Sequence, residues 1–270
     1  MIPEITLHDS IAIPQLGFGV WQVPEEETQP TVEKAFETGY RHIDTAKIYG
    51  NEAGVGAAIA ASGIDRDDLF ITTKVWNDDQ GFDSTLRAVE ASLGRLGLDR
   101  LDLYLVHWPR EGELLTETWS AMQRVQEEGL SRAIGVCNHR PEDLEALKEA
   151  GGVQPSINQI ELHPYLQQRE LRTWHQENGV VTEAWSPLAS GEILGDPTIG
   201  GIATRLGRSP GQVVLRWHIQ IGNVVIPKSV TPSRIEENFD VFSFELSDED
   251  MEEIAGMDHG HRTGPEPGSF

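Results

Sequence analysis

Four residues stand apart by type and placement: Asp44, Tyr49, Lys74 and His107. Asp44 ends the run His42-Ile43-Asp44, Lys74 ends Phe70-Ile71-Thr72-Thr73, and His107 ends Leu101-Asp102-Leu103-Tyr104-Leu105-Val106. Gly50-Asn51 signals a turn, so Tyr49 belongs to the loop behind Asp44. A carboxylate at the end of a buried strand is costly unless a cation pairs with it, and Lys74 supplies one from an equivalent strand end. A phenol beside such a pair is a candidate proton donor. Free tyrosine titrates near ~10; the ammonium favours phenolate and is expected to lower that value, while the imidazole can share the proton. His107 can also donate to a substrate oxygen. Such a group suits an oxygen gaining negative charge, as a carbonyl oxygen does when hydride reaches its carbon. No side chain donates hydride, so a nicotinamide cofactor is implied. Singly, Asp44 reads as a cap or structural ion pair, Lys74 as a solvated strand end, His107 as a core histidine and Tyr49 as loop packing. At successive strand ends they read as a site.

Positioning them requires strands that finish at one place. Apolar runs place strands near 16–20, 42–44, 70–74, 101–106, 132–136, 156–161, 180–185 and 223–227. Helical periodicity covers 28–38, ending at Gly39, and 83–96, capped by Asp83, with Leu86, Val89, Leu93 and Leu96 on one face. Further helices are expected at 113–128, 141–149, 168–178, 197–206 and 210–221. Another opens at Thr231-Pro232 and a last one is capped by Ser247 with Asp250. Ile5–Leu7 and Ile11–Ile13 form an N-terminal β-hairpin. Eight strands, each followed by a helix, describe an α/β fold: one (β/α)8 TIM barrel spanning residues 1–270, with extra C-terminal helices. About 259–270, rich in Gly and Pro, reads as a mobile tail. A doubly wound sheet would want a glycine-rich turn after its first strand; Gly54-Val55-Gly56 lies too far past a strand and lacks the third glycine.

A barrel gathers the carboxyl ends of its strands at one mouth. Asn138, Gln159, Trp185-Ser186 and Lys228-Ser229 therefore join the first four residues there, and Trp21, Trp76 and Trp108 would wall a pocket. Lys228 and Arg234 beside Ser229, at the start of the helix opened by Thr231-Pro232, read either as a solvated helix start carrying two stray cations or as a local anion site. That matters in a chain with 21 Lys+Arg against 44 Asp+Glu, net −23. Such acidity repels nucleic acid and anionic membrane. The single cysteine, Cys137, excludes an internal disulfide and a cysteine-based zinc site, and suits a reducing cytosol. No signal peptide and no membrane-spanning run is apparent, so a cytoplasmic location is expected. His42, His163, His259 and His261 show no ligand spacing, and no metal is expected.

The motifs around these residues resemble the aldo-keto reductases. They are His-Ile-Asp-Thr-Ala (42–46), Tyr-Gly-Asn-Glu (49–52), Val-His-Trp-Pro (106–109), Gly-Val-Cys-Asn (135–138), Asn-Gln-Ile-Glu-Leu-His-Pro (158–164) and Ile-Pro-Lys-Ser (226–229). The bacterial 2,5-diketo-D-gluconate reductases are the nearest likeness, through Ala-Ala-Ile-Ala-Ala-Ser-Gly (57–63), Asn138-His139 and Val-Leu-Arg-Trp-His (214–218). The resemblance implies that Tyr49 is the proton donor, that Lys74 and Asp44 lower its pKa, and that His107 orients the carbonyl. It implies NADPH as cofactor. The nicotinamide would stack on Trp185, its carboxamide would bond Cys137, Asn138 and Gln159, and Val20, Trp21 and Asp44 would also contact the cofactor. Ser186 and Leu188 would lie over the pyrophosphate. Lys228, Ser229 and Arg234 would hold the 2′-phosphate, and Glu237 and Asn238 the adenine. Cys137 stands where the family usually has Ser. Trp21, Tyr49, Trp76, His107 and Trp108 would contact substrate, implied to be a small dicarbonyl or keto acid such as methylglyoxal or 2,5-diketo-D-gluconate. A monomer is implied as well. A slow-turnover nicotinamide-binding regulatory subunit is the rival, against which the complete tetrad argues. A barrel hydrolase would want paired carboxylates, and Asp44 and Glu161 have no evident partner carboxylate.

Overall fold

The structure, a computed structural model, describes residues 2–269. β1 (Glu4–Thr6) and β2 (Ala12–Pro14) pair antiparallel, with Ile5 opposite Ile13. Leu7 and Ile13 are buried in one apolar cluster with Phe70, Ala133, Ile157 and Val224, residues near the beginnings of their strands. The hairpin therefore plugs the amino-terminal end of the barrel and leaves the carboxyl end for chemistry.

Eight parallel strands follow: β3 (Phe18–Gly19), β4 (His42–Asp44), β5 (Phe70–Val75), β6 (Leu101–Val106), β7 (Ser131–Cys137), β8 (Ile157–Glu161), β9 (Val181–Trp185) and β10 (Val224–Val225). Each lies beside its neighbour in chain order. The two outer strands meet at a seam, where Leu16 bridges Val225. There the amide of Gly17 donates to the Val225 carbonyl at 2.9 Å and that of Gly19 to the Pro227 carbonyl at 3.1 Å. The expected strands at 16–20 and 223–227 are only two residues of ladder each, because a seam closes the ring through isolated bridges rather than a continuous ladder.

Helices α1 (Glu25–Thr38), α2 (Glu52–Ser62), α3 (Phe82–Leu96), α4 (Glu113–Glu127), α5 (Pro141–Glu149) and α6 (Arg169–Asn178) follow the first six barrel strands in turn. α7 (Pro197–Leu206) and α8 (Pro210–Gln220) both lie between β9 and β10, and α9 (Pro232–Phe239) and α10 (Asp248–Ala255) come after β10. The capping box Ser247–Asp250 opens α10 as expected, and Ser209–Gln212 does the same for α8. α1 starts three residues earlier than its periodicity suggested, with Glu25, Glu26 and Glu27 in a first turn that favours negative charge. Asp83 proves not to cap α3. Gly81 holds that position and Asp83 sits inside the first turn.

α2 escaped the periodicity reading because Glu-Ala-Gly-Val-Gly-Ala-Ala-Ile-Ala-Ala-Ser is apolar nearly all round and shows no preferred face. Its glycines let helices approach. A Cβ on Gly54 would lie 2.8 Å from Thr28 Cβ of α1, and one on Gly56 would run into the backbone carbonyl of Leu96 in α3. Gly54-Val55-Gly56 thus serves packing between α1, α2 and α3. Among the described residues no helix is long and apolar enough to cross a membrane.

Candidate active site

The polar strand ends converge. Lys74 is fully buried, and its ammonium reaches Asp44 Oδ1 at 2.6 Å, the Thr45 carbonyl at 2.9 Å and the Tyr49 hydroxyl at 3.5 Å. Tyr49 stands on a single 3-10 turn, Lys47–Tyr49, that ends at Gly50 in the left-handed region (φ 69°). Asn51 locks that turn in place. Its amide donates to the carbonyls of Val20 at 2.9 Å and Val23 at 3.1 Å, and its oxygen accepts from Thr45 Oγ1 at 2.8 Å. Sequence reasoning saw Asn51 only as a turn former; buried, it ties the loop after β3 to the loop after β4.

The His107 ring meets the Tyr49 ring edge-on, with centroids 5.7 Å apart, and the Trp76 ring at 5.2 Å. The His107 carbonyl accepts from Asn138 Nδ2 at 3.1 Å, and Asn138 Oδ1 accepts from Trp185 Nε1 at 2.9 Å. Asn138 needs a positive φ (60°) to reach both, a conformation asparagine tolerates better than most residues. Gln159 Nε2 donates to Asp44 Oδ2 at 2.9 Å and to Glu183 Oε2 at 3.0 Å, while Cys137 Sγ lies 3.9 Å from Gln159 Oε1. One bonded network thus joins Lys74, Asp44, Gln159, Glu183 and Cys137, and a second joins His107, Asn138 and Trp185. Glu183 was not anticipated from sequence.

Burial sets the protonation states. For Lys74, burial alone would favour the neutral amine, but Asp44 and Tyr49 outweigh it and hold the pKa above the ordinary ammonium value. For His107, burial and then the Lys74 charge push the pKa well below its ordinary value, so the imidazole is neutral at pH 7. For Tyr49 the expected lowering does not prevail. Burial dominates, Lys74 opposes it, Asp44 reinforces it, and the phenol is pushed up to about 12. Burial also raises the Cys137 thiol, leaving a weak neutral donor beside Gln159.

The remaining expected residues form a rim and a flank. Trp21 is 54% exposed on the rim, Trp76 is half-buried, and Trp108 is buried at 6%. Val20 is buried and its amide donates to the Asp44 carbonyl at 3.1 Å. Lys228 and Arg234 are exposed on either side of the buried Ser229, and among the described residues neither has an ion-pair partner. Ser229 Oγ accepts from the Thr231 amide at 3.1 Å, next to the N-terminus of α9. Glu237 accepts from Ser209 Oγ at 2.6 Å, and Asn238 is buried beside Gly211.

Residues 259–264 lie across the mouth. The Glu161 carboxylate accepts from the Thr263 amide (2.6 Å), Thr263 Oγ1 (2.7 Å), the Gly264 amide (3.1 Å) and His163 Nε2 (3.2 Å), with Arg262 Nη1 at 3.5 Å. These bonds hold the Glu161 carboxyl down to about 2 against the opposing effect of burial. Gly264 packs so closely on the Trp185 indole that a Cβ would not fit. Thr263 Oγ1 also lies 3.4 Å from Ser186 Oγ and 3.3 Å from Ser190 Oγ, and His261 Nε2 bonds Glu192 at 2.9 Å. The segment read as a mobile tail is thus tied at 261–264 to β8 and to the loop carrying Ser186 and Leu188.

An eight-stranded parallel barrel plugged at its amino end, with an Asp–Lys–Tyr cluster and a histidine at the other, defines a class of protein. Residues 15–259 match the model of the aldo/keto reductase family, and the chain belongs to that family. An aldo-keto reductase of Mycolicibacterium smegmatis is 54% identical over 271 residues, covering 100% of this chain and 98% of that protein. Methylglyoxal reductase DkgA of Escherichia coli is 49% identical over 269 residues, covering 98% of this chain and 97% of the relative. Among solved structures, a Gox0644 mutant in complex with NADPH superposes with a TM-score of 0.96 at 46% identity, covering 100% of this chain and 99% of that one.

Proposed function

We propose that this chain is an NADPH-dependent reductase of aldehydes and ketones, acting on small dicarbonyls or keto acids such as methylglyoxal or 2,5-diketo-D-gluconate. The observation that carries this is the buried Lys74 ammonium, held between Asp44 at 2.6 Å and the Tyr49 hydroxyl at 3.5 Å beside a neutral His107. Kinship with methylglyoxal reductase DkgA supports the substrate class, and kinship with Gox0644, seen with NADPH, supports the cofactor.

The residues present fit that cofactor. Two cations without ion-pair partners among the described residues flank Ser229 at a helix N-terminus in a chain of net charge −23, a donor set suited to the 2′-phosphate. Ser186 and Leu188 would cover the pyrophosphate, Glu237 and Asn238 would meet the adenine, and Asn138, Gln159 and Cys137 would meet the carboxamide beside Trp185. When bound, NADPH supplies the hydride. Neutral His107 donates a hydrogen bond that orients the carbonyl oxygen towards Tyr49. Tyr49 then gives its proton to that oxygen. Lys74 stabilises the phenolate left behind, and Asp44 keeps Lys74 charged and aimed. A pKa pushed up to about 12 in the free protein keeps Tyr49 protonated and ready to donate. Charge gathering on the substrate oxygen makes the transfer favourable as it proceeds. Trp21, Trp76 and Trp108 would enclose the substrate. We take the chain to act as a cytoplasmic monomer.

Tyr49→Phe tests the reading. Carbonyl reduction is expected to fall by about 10²–10⁴-fold, with NADPH affinity by fluorescence near the parent's. Turnover at the parental rate would remove Tyr49 from the donor role.

A further inference from the structure

Beneath the tetrad lies a buried carboxyl that the reaction above does not use. Glu183 stands on β9 directly opposite Gln159 on β8, and both are buried. The Gln159 amide nitrogen has two hydrogens and two acceptors: Asp44 Oδ2 at 2.9 Å across the barrel and Glu183 Oε2 at 3.0 Å beside it. That pair of acceptors decides which way the amide faces. Its nitrogen is held by the two carboxyl groups, so its carbonyl oxygen faces Cys137 Sγ. Remove Glu183 and one of the two constraints disappears.

Among the described residues, the second carboxyl oxygen, Glu183 Oε1, has no hydrogen-bond partner. His42 Nε2 lies 3.7 Å from it, and that imidazole is bonded to Thr72 Oγ1 at 3.2 Å. The titratable groups that face Glu183 are His42 and Asp44 from β4, Lys74 from β5 and Cys137 from β7; β8 and β10 place Gln159 and Val224 against it. Among these the one cation is Lys74, already paired with Asp44 at 2.6 Å, while burial keeps His42 neutral. An ionised Glu183 would be a second buried carboxylate sharing one ammonium, an arrangement that strongly disfavours double ionisation. Burial first, then the Asp44 charge, raise the Glu183 carboxyl far above its ordinary range.

We propose that Glu183 is a positioning residue of the reductase site, a neutral carboxylic acid that fixes the Gln159 amide and, through Asp44, governs how much positive charge Lys74 offers to Tyr49. The proposal rests on the reductase reading and adds a residue to it. Protonated, Glu183 leaves the Lys74–Asp44 pair balanced. Ionised, it adds a negative charge that raises the Tyr49 pKa further and makes the phenol a poorer donor.

The test compares the parent with Glu183→Gln and Glu183→Leu. In the apoprotein, the infrared difference spectrum between parent and Glu183→Gln at pH 7 should show a protonated carboxylic acid C=O band that disappears on raising the pH. Reduction by the parent should lose kcat along an alkaline limb that Glu183→Gln moves upward by a pH unit or more. Glu183→Gln retains a neutral acceptor for Gln159, so its NADPH affinity should stay within about threefold of the parent's. Glu183→Leu frees the amide and should weaken NADPH binding by about tenfold. No protonated-acid band at pH 7, or superimposable pH profiles for parent and Glu183→Gln, would overturn the proposal. Should Glu183→Leu fail to fold, those two comparisons still decide. A failure of the reductase reading appears separately, as undiminished turnover by Tyr49→Phe, and leaves the infrared band in place.

Discussion

Glu161 offers a sharp test of how the C-terminal segment is held over the mouth. Its carboxylate accepts four hydrogen bonds of 3.2 Å or less, three of them from Thr263 and Gly264. Those bonds hold the carboxyl at about 2, against an ordinary value of 4.5. At about 1.4 kcal/mol per pH unit this difference is worth about 3 kcal/mol, reduced to about 2 kcal/mol by water at the open mouth. The sign follows from the direction of the shift. A carboxyl depressed in the folded state contributes its full stability above pH 4.5 and loses it as pH falls towards 2. Glu161→Gln keeps an acceptor oxygen but no charge. At pH 7 its Tm is expected to fall by about 4 °C, at roughly 2 °C per kcal/mol for a chain of this size. The gap from the parent should narrow as the pH is lowered from 4.5. Thermal melts from pH 2.5 to 7 measure this, and amide exchange at Thr263 and Gly264 should accelerate in the same variant. A gap that is absent at pH 7 or constant with pH, with the tail amides as protected as in the parent, would show that the carboxylate does not hold the segment.

Lys228→Met and Arg234→Met should each raise the KM for NADPH by about 10–100-fold, the loss of one charge-assisted bond, while leaving the KM for NADH unchanged. Equal effects on both cofactors would place the 2′-phosphate elsewhere. Gly56→Ala drives a methyl into the immovable Leu96 carbonyl and should cost about 1–3 kcal/mol, read as a lower Tm. Gly94→Ala in α3, where a Cβ meets nothing within 4 Å, should instead raise Tm slightly by removing freedom from the unfolded chain. A neutral Gly56→Ala would mean that α2 and α3 can slide apart.

Much of this protein is written along its chain. Apolar runs ending in Asp44, Lys74 and His107 announce strands and the end at which polar residues gather, because a strand buried on both faces tolerates charge only where it emerges. The strand–helix alternation then leaves little besides a barrel. Other features exist only once the ring closes. α2 carries no periodic signal, since its small apolar residues serve two neighbouring helices at once. Glu183 reads as one more polar residue in Val-Thr-Glu-Ala-Trp, and its meaning comes from facing Gln159 and Asp44 across a closed interior. The Gly- and Pro-rich segment after 259 looks mobile, because nothing local reveals that a carboxylate about a hundred residues earlier in the chain receives its amides. The acidity of Tyr49 turned on the same distinction. The chain shows a lysine near a tyrosine and so the sign of one contribution, but desolvation depends on everything packed around the ring, and that belongs to the folded molecule alone.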